Sequence, residues 1–324
     1  MIRLDQLDKK ILFELDKNSR LSNPQLGRKV FASKEVVAYR INRLIREKVI
    51  HHFYSIIALT TLGYFNYKIY FQLQGLTEEK EQNIIYKLKL NNNIVWIATT
   101  EGRWDLMISF YAKNIQDFAA MKAEVFEMLG NIVQEYSIII NEDGFILYRD
   151  YLFSEKNRQR NPISYLGKIE NITLDKREND LLKSIATNSR LPIKEIAKAC
   201  NYTTKTVLEK IRLFKKNSLI QSFTIGINLS VIDYYGFKIF IFLSDMSKES
   251  YSSVFNFCKE LLPVRHIIKT IGAWELELEI ETPNPRDLQI ICKKLRSKFP
   301  NKIKKIESVT ILNEVKLEFF PQKE

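Results

Sequence analysis

The sequence predicts an α+β chain built as one unit written twice, each unit a three-helix head followed by a β-α-β-β-α-β sheet domain. Three observations predict it. The first is a repeat at a constant offset of 170 residues: Asn18-Ser19-Arg20-Leu21 recurs as Asn188-Ser189-Arg190-Leu191. The same offset carries Leu4-Asp5 onto Leu174-Asp175, Lys68-Ile69 onto Lys238-Ile239, and Gly102 and Trp104 onto Gly272 and Trp274. A period this long signals tandem domains and not a solenoid, and 324 residues suit two domains or a multiple of two. The second is a change of apolar spacing inside each copy, from helical to strand-like. The third is where the positive charge lies. Residues 1–50 hold six Lys and six Arg against three Asp and three Glu, and residues 174–220 hold eight Lys and three Arg against two Asp and three Glu. Each window therefore carries +6, and together they equal the +12 of the whole chain.

In the first copy, Ile11, Leu12 and Leu15 set an amphipathic helix over residues 8–15. A turn at 18–24 follows. Pro24 then fits the first turn of a second helix over 24–30, capped by Ser22 or Asn23. Ser33 opens a third helix, with Val37, Ile41 and Leu44 on one face and basic residues around the rest. The second copy matches, with helices near 176–187, 193–200 and 203–217. Strands are expected at 65–73 and 237–243, then helices at 77–90 and 247–262. Paired strands flank a Gly-x-Trp turn (94–99 with 104–111; 264–270 with 274–281). A helix (115–129; 285–299) and a strand (133–140; 303–311) complete each copy. This order is the ferredoxin-like split unit. A last aromatic strand is expected at 145–153, echoed by 315–320. The organisation is therefore head one at 1–60, sheet domain one at 61–153, a polar and basic linker at 154–171, head two at 172–230 and sheet domain two at 231–324.

Composition narrows the function classes. With 45% hydrophobic and 27% charged residues the chain is an ordinary globular one. Cys200, Cys258 and Cys292 form neither an even disulfide framework nor a C-x-x-C pair. The longest uncharged stretch, 217–232, is too short and polar to span a bilayer. The N-terminus carries Asp5 where a signal peptide runs apolar, so the expected compartment is the cytoplasm. A polyanion partner is the first to test for a chain of pI 9.3.

Three short helices ending in a basic third helix, twice over, read as helix-turn-helix heads that bind double-stranded DNA. The residues Leu4-Asp5-x-x-Asp8-x-x-Ile11-Leu12, Asn18-Ser19-Arg20, the segment from Ser33 to Leu44 and the closing Val49-Ile50 resemble the feast/famine (Lrp/AsnC) regulators of bacteria and archaea. The downstream sheet pattern with Gly102-Arg103-Trp104-Asp105 resembles that family's ligand-binding and oligomerisation domain. Two copies in one chain depart from the usual single copy. So do Lys48 and Ser218, which stand where the family commonly has a helix-ending Gly.

Near the N-terminus of the third helix and off its apolar face, Lys34, Glu35, Ala38 and Tyr39 are expected at base edges. Arg40, Arg43 and Arg46 are expected on phosphates. In head two the matching set is Thr204, Lys205, Leu208 and Glu209, with Lys210 and Arg212 on phosphate. Leu208, Glu209 and Leu213 replace Ala38, Tyr39 and Arg43, so the heads are expected to read different bases.

The turn with Thr99, Thr100, Glu101, Gly102, Trp104 and Asp105 is the candidate effector site, its hydroxyls and acid suited to an amino-acid ammonium. The resemblance implies a cleft shared between subunits near this turn. Lys269 and Ile271 replace Thr99 and Glu101 in copy two, whose pocket is expected to be altered or dead.

Enzyme readings are thin. His51 and His52 point to opposite faces of a strand and do not ligate one metal easily. No catalytic residue, metal or cofactor is expected. The alternative function is a siroheme decarboxylase-like enzyme, because those enzymes use the same units with His and Arg in the region of Arg265-His266; copy one has Trp96 where His266 stands. The duplication predicts an intrachain pseudo-dimer that self-associates into a homo-oligomer of two to four chains.

Overall fold

The computed structural model describes residues 2–153, 160–170, 172–318 and 320–321. Its elements run twice through one order. Helices α1 (Gln6–Lys17), α2 (Asn23–Val30) and α3 (Lys34–Arg46) precede strand β1 (Ile50–Ile57). Then come β2 (Phe65–Leu73), α4 (Glu78–Leu90), β3 (Ile94–Gly102), β4 (Leu106–Ala112), α5 (Ile115–Leu129) and β5 (Val133–Ile146). After a two-residue strand β6 (Ile163–Ser164), the second copy gives α6 (Lys176–Thr187), α7 (Ile193–Ala199), α8 (Thr204–Lys216) and β7 (Ile220–Ile227). It continues with β8 (Tyr235–Leu243), α9 (Lys248–Lys259), β9 (Val264–Ile271), β10 (Leu276–Thr282), α10 (Arg286–Lys298) and β11 (Ile303–Leu317).

The chain forms two compact units, and each draws on both copies. One takes residues 1–62, 146–234 and 281–284, which hold both heads; the other takes 63–145, 235–280 and 285–324, which hold both sheet domains.

In the head unit the helix starts are local chemistry. Asp5 and Asp8 form a reciprocal capping box on α1, Ser22 and Gln25 form another on α2, and Ser33 accepts from Val36 N at the start of α3. Ile11, Leu12, Leu26, Val37, Ile41 and Leu44 close the core of head one. Lys48 and Ser218 take left-handed φ of 57° and 55° to end their helices, as their positions before Val49 and Leu219 require.

The two heads are joined by strands β1 and β7, which pair antiparallel with Phe53 opposite Ile225. Reciprocal contacts surround that pair. Ser19 Oγ lies 2.5 Å from Ser189 Oγ. Arg20 donates to Ser189 O and Arg190 to Ser19 O. Ser19 N donates to Phe223 O while Ser189 N donates to Phe53 O. The repeated Asn-Ser-Arg-Leu is thus the joint between heads, a role its sequence does not disclose.

In the sheet unit eight strands run β2-β4-β3-β11-β8-β10-β9-β5, and β5 pairs back onto β2. The sheet closes on itself, so its strand edges are paired within the chain. Each copy contributes four strands in ferredoxin-like order. Leu88 of α4 and Phe118, Val125 and Leu129 of α5 cover Ile69, Ile97, Ile108 and Phe110 on one face of the first half. The opposite, inner face holds Tyr70, Trp104, Met107, Phe240 and Trp274.

Two expectations need correction. The aromatic stretch 145–153 is no separate strand: Phe145 and Ile146 end β5, and Tyr151, Leu152 and Phe153 pack on the core of head one. Residues 315–317 likewise only extend β11. The stretch expected as an exposed linker is mixed where it is described: Arg160 is buried with its Nε 2.9 Å from Asp150 and Leu166 is buried, whereas Asn161 and residues 167–170 are exposed. The linker positions 154–159 and 171 lie outside the described residues.

Candidate nucleic-acid interface and effector cleft

Helix α3 presents its N-terminal turn to solvent because its apolar residues at i, i+4 and i+7 all turn inward. Lys34, Glu35 and Tyr39 are exposed and Ala38 is half-buried, so the four residues expected at base edges share the outward side. Lys34 and Glu35 approach each other only loosely, at 3.7 Å.

The three arginines behind them divide. Arg40 Nη1 bonds Asp5 and lies 3.2 Å from Asp8, and Arg43 Nη2 lies 2.5 Å from Asp8. Asp8 is fully buried, so these two arginines brace α3 on α1 and compensate a carboxylate that has lost its water. Arg46 stays exposed. The brace recurs in head two, where Lys210 Nζ lies 2.5 Å from Glu178 Oε1, a partner that raises the ammonium's pKa. Thr204, Lys205, Leu208, Glu209 and Arg212 are exposed along α8. The expected phosphate set therefore splits into buttressing residues (Arg40, Arg43, Lys210) and outward ones (Arg46, Arg212). Sequence reasoning passed over Arg28, Lys194 and Lys198, exposed cations on the second helices of the two heads; their signal was net charge without an aromatic or apolar partner in register.

His51 is exposed and His52 half-buried opposite Gly226, where a Cβ would meet the imidazole at 2.4 Å. Burial, with the charges of His51 and Arg149, pushes the His52 pKa down to about 4, which keeps it neutral near pH 7.

The turn of copy one uses most of its polar groups on itself. Thr100 Oγ1 donates to Trp104 O at 2.6 Å, and Asp105 Oδ2 accepts from Leu73 N at 2.7 Å. Trp104 is buried, Thr99 and Thr100 are nearly so, and Glu101 is exposed. Gly102, at φ 137°, lets β11 pass, since a Cβ there would stand 3.1 Å from Val309 Cγ1. The copy-two turn repeats this wiring through Thr270, Trp274 and Glu275. Beside that second turn opens a cleft of about 720 Å³, walled by Phe145, Tyr251, Phe255 and Trp274 and rimmed by Glu142 and Lys269. Lys269 Nζ sits 2.5 Å from Glu142 and 4.9 Å from the centre of the Tyr251 ring. The replaced positions Lys269 and Ile271 both line this cleft.

Among the described residues no group of three or more His, Cys, Asp or Glu is placed to hold a metal ion, and no helix is long and apolar enough to cross a membrane. His266 Nδ1 lies 2.5 Å from Glu279 Oε2.

Residues 4–51 match the winged helix-turn-helix DNA-binding family. The chain is 30% identical over 131 residues to the HTH-type transcriptional regulator Ptr1 of Methanocaldococcus jannaschii, covering 86% of that protein and 40% of this one. It is 26% identical over 141 residues to an uncharacterised HTH-type transcriptional regulator of Pyrococcus furiosus, covering 91% of that protein and 42% of this chain. The crystal structure of the siroheme decarboxylase NirDL shares the fold over 98% of this chain and 94% of that one, with a TM-score of 0.62 and 12% identity. The identity with Ptr1 over most of that protein places the chain among the HTH-type transcriptional regulators, and its head motif with the sheet domain that follows is that of the feast/famine (Lrp/AsnC) family.

Proposed function

We propose that this protein is a sequence-specific DNA-binding transcription regulator whose reading surface is the pair of heads. The observation that carries the reading is their junction. Strands β1 and β7 and the Ser19–Ser189 contact hold two outward third helices in one compact unit, each on a head of net +6. Lys34, Glu35, Ala38 and Tyr39 meet base edges, as do Thr204, Lys205, Leu208 and Glu209 in the second half-site. Arg46 and Arg212 take phosphates first; Arg40, Arg43 and Lys210 reach them only by leaving their acid partners. Two unlike heads suit an asymmetric operator, because a palindrome mirrors a two-fold symmetry that this chain only approximates.

Selection of bound duplexes from random DNA tests the reading. The expected product is two unlike half-sites at fixed spacing. Changing Lys34 and Tyr39 to Ala alters the first half-site, whereas changing Arg46 to Ala weakens all sequences about equally. Recovery of no enriched duplex by the intact protein refutes the proposal. Retention of siroheme with a visible absorbance band, in place of DNA, supports the decarboxylase-like alternative.

The reading includes a small-molecule effector such as an amino acid, and a homo-oligomer. The cleft at the copy-two turn supports the first, its aromatic wall and charged rim matching an apolar body with an ammonium and a carboxylate. Apolar side chains left exposed in the sheet unit, among them Tyr86, Leu90, Met246 and Ile271, support the second. Light scattering with and without a mixture of amino acids checks both parts. Particles of two to four 38.2 kDa chains, in proportions that shift with the mixture, are expected. A monomer under both conditions counts against both.

A further inference from the structure

Phe31 caps the C-terminus of α2 in the left-handed region, at φ 59° and ψ 47°, and its side chain is 90% exposed. Both facts are costly for an aromatic residue. Left-handed backbone crowds its Cβ against the chain, and a ring in water gains nothing from burial. The turn itself does not need the ring. Its backbone is held by Phe31 N and Ala32 N donating to Gly27 O, and Gly27 has no room for a Cβ, which would stand 2.5 Å from Ala32 O. In head two the position 170 residues on is Asn201, which makes the same turn at φ 52° and is a residue that enters this region cheaply. An unfavourable conformation kept around a fully presented side chain points to a use for that side chain.

The place of Phe31 says what the use is. It stands two residues before Ser33, the cap of α3, at the helix end that meets base edges in helix-turn-helix readers. On the same turn of α3, Val36 is 41% and Tyr39 62% exposed. Head two carries Asn201, Thr206 and Glu209 at the three corresponding positions. At these three positions head one is apolar where head two is polar, although head two keeps an exposed Leu208 elsewhere on its third helix. The apolar feature of the major groove is the thymine C5-methyl group.

We infer that Phe31 is a specificity-determining residue of head one, packing on a thymine methyl at the edge of its half-site, with Val36 and Tyr39 extending the apolar contact. The inference rests on the DNA-binding reading above.

The experiment compares the full chain with its Phe31→Asn variant on a duplex that the wild-type protein has selected from random DNA. Phe31→Asn copies the head-two turn, so its thermal midpoint is expected to equal or exceed that of wild type. Its affinity for the selected duplex is expected to fall roughly tenfold. Replacing the half-site thymines by uracil, which deletes only the methyl, is expected to weaken wild type and to weaken Phe31→Asn clearly less. Equal affinity of the two proteins for the thymine duplex overturns the inference while leaving the DNA-binding reading intact. So does a lowered midpoint of the variant, which makes Phe31 structural, or indifference of wild type to uracil. Failure of wild type to select any duplex overturns both.

Discussion

Raising the salt from about 50 to about 200 mM is expected to weaken binding of the selected duplex by about a thousandfold, the loss that goes with roughly six phosphate contacts. The argument starts from where the charge is. The two head windows carry the entire +12 of the chain, so the attraction is focused on the unit that holds both third helices. Each phosphate neutralised by a lysine or arginine releases condensed counterions, and the logarithm of affinity then falls linearly with the logarithm of salt. The residues contribute unequally. Arg46→Ala is expected to lower the slope by about one, since Arg46 is exposed. Arg43→Ala is expected to change the slope little and to destabilise the head, because Arg43 already compensates the buried Asp8 carboxylate. Fluorescence anisotropy across the salt range reads both effects. A flat log–log plot for wild type removes the phosphate-contact argument altogether.

What the sequence disclosed and what it withheld follow the range of the forces involved. Helix starts rest on a side chain three residues from the amide it caps, so Ser33, Thr77 and Thr203 marked α3, α4 and α8 almost to the residue. Strand β2 and helix α5 likewise sit where their apolar patterns put them. The pairing of β1 with β7 and the closure of β5 on β2 join residues far apart in the chain, and no local spacing encodes such a register. The brace of Arg40 and Arg43 on Asp8 was hidden for the same reason, although Asp8 opposite a basic third helix was visible in both copies as Asp8 and Glu178. The stretch 147–153 was misread because its aromatics fit a strand period as well as they fit the head core that takes them. Clefts are properties of assembled walls, so only the structure could place one beside the second turn.

The sharpest residue missed in the sequence is Glu277, and its replacement by Gln is expected to destabilise the sheet unit by about 3–5 kcal/mol. Its strand reads Leu276-Glu277-Leu278-Glu279-Ile280, an alternation that sends the apolar residues under the helices and the acids to the inside of the closed sheet. There Glu277 meets two lysines that the repeat places at equivalent positions, Lys68 at 2.7 Å and Lys238 at 3.2 Å. Tyr70 Oη donates to Glu277 at 2.5 Å and Trp274 Nε1 at 3.1 Å. Copy one has Met107 at the matching position, so Glu277 is shared by both lysines, and Lys238 has Glu279 as a second partner at 2.9 Å. Burial alone raises the pKa of Glu277, but the charges of Lys238 and Lys68 and the hydrogen bonds of Lys68 and Tyr70 overcome it and hold the group at about 2. The folded pKa lies below the ordinary 4.5, so the stabilisation is complete above pH 4.5 and is lost as pH falls towards 2. Urea denaturation followed by tryptophan fluorescence reads the core directly, because Trp104 and Trp274 lie within it, 6.3 Å apart. Glu277→Gln takes from the buried Lys68 its carboxylate partner and leaves Lys238 with Glu279, and the variant's stability should vary less with pH between 4.5 and 2 than that of wild type. Adding Lys68→Met is expected to recover part of the loss, since it removes one uncompensated charge without opening the core. A loss below about 1 kcal/mol for Glu277→Gln, or no recovery in the double variant, means that the lysines are not held by this carboxylate.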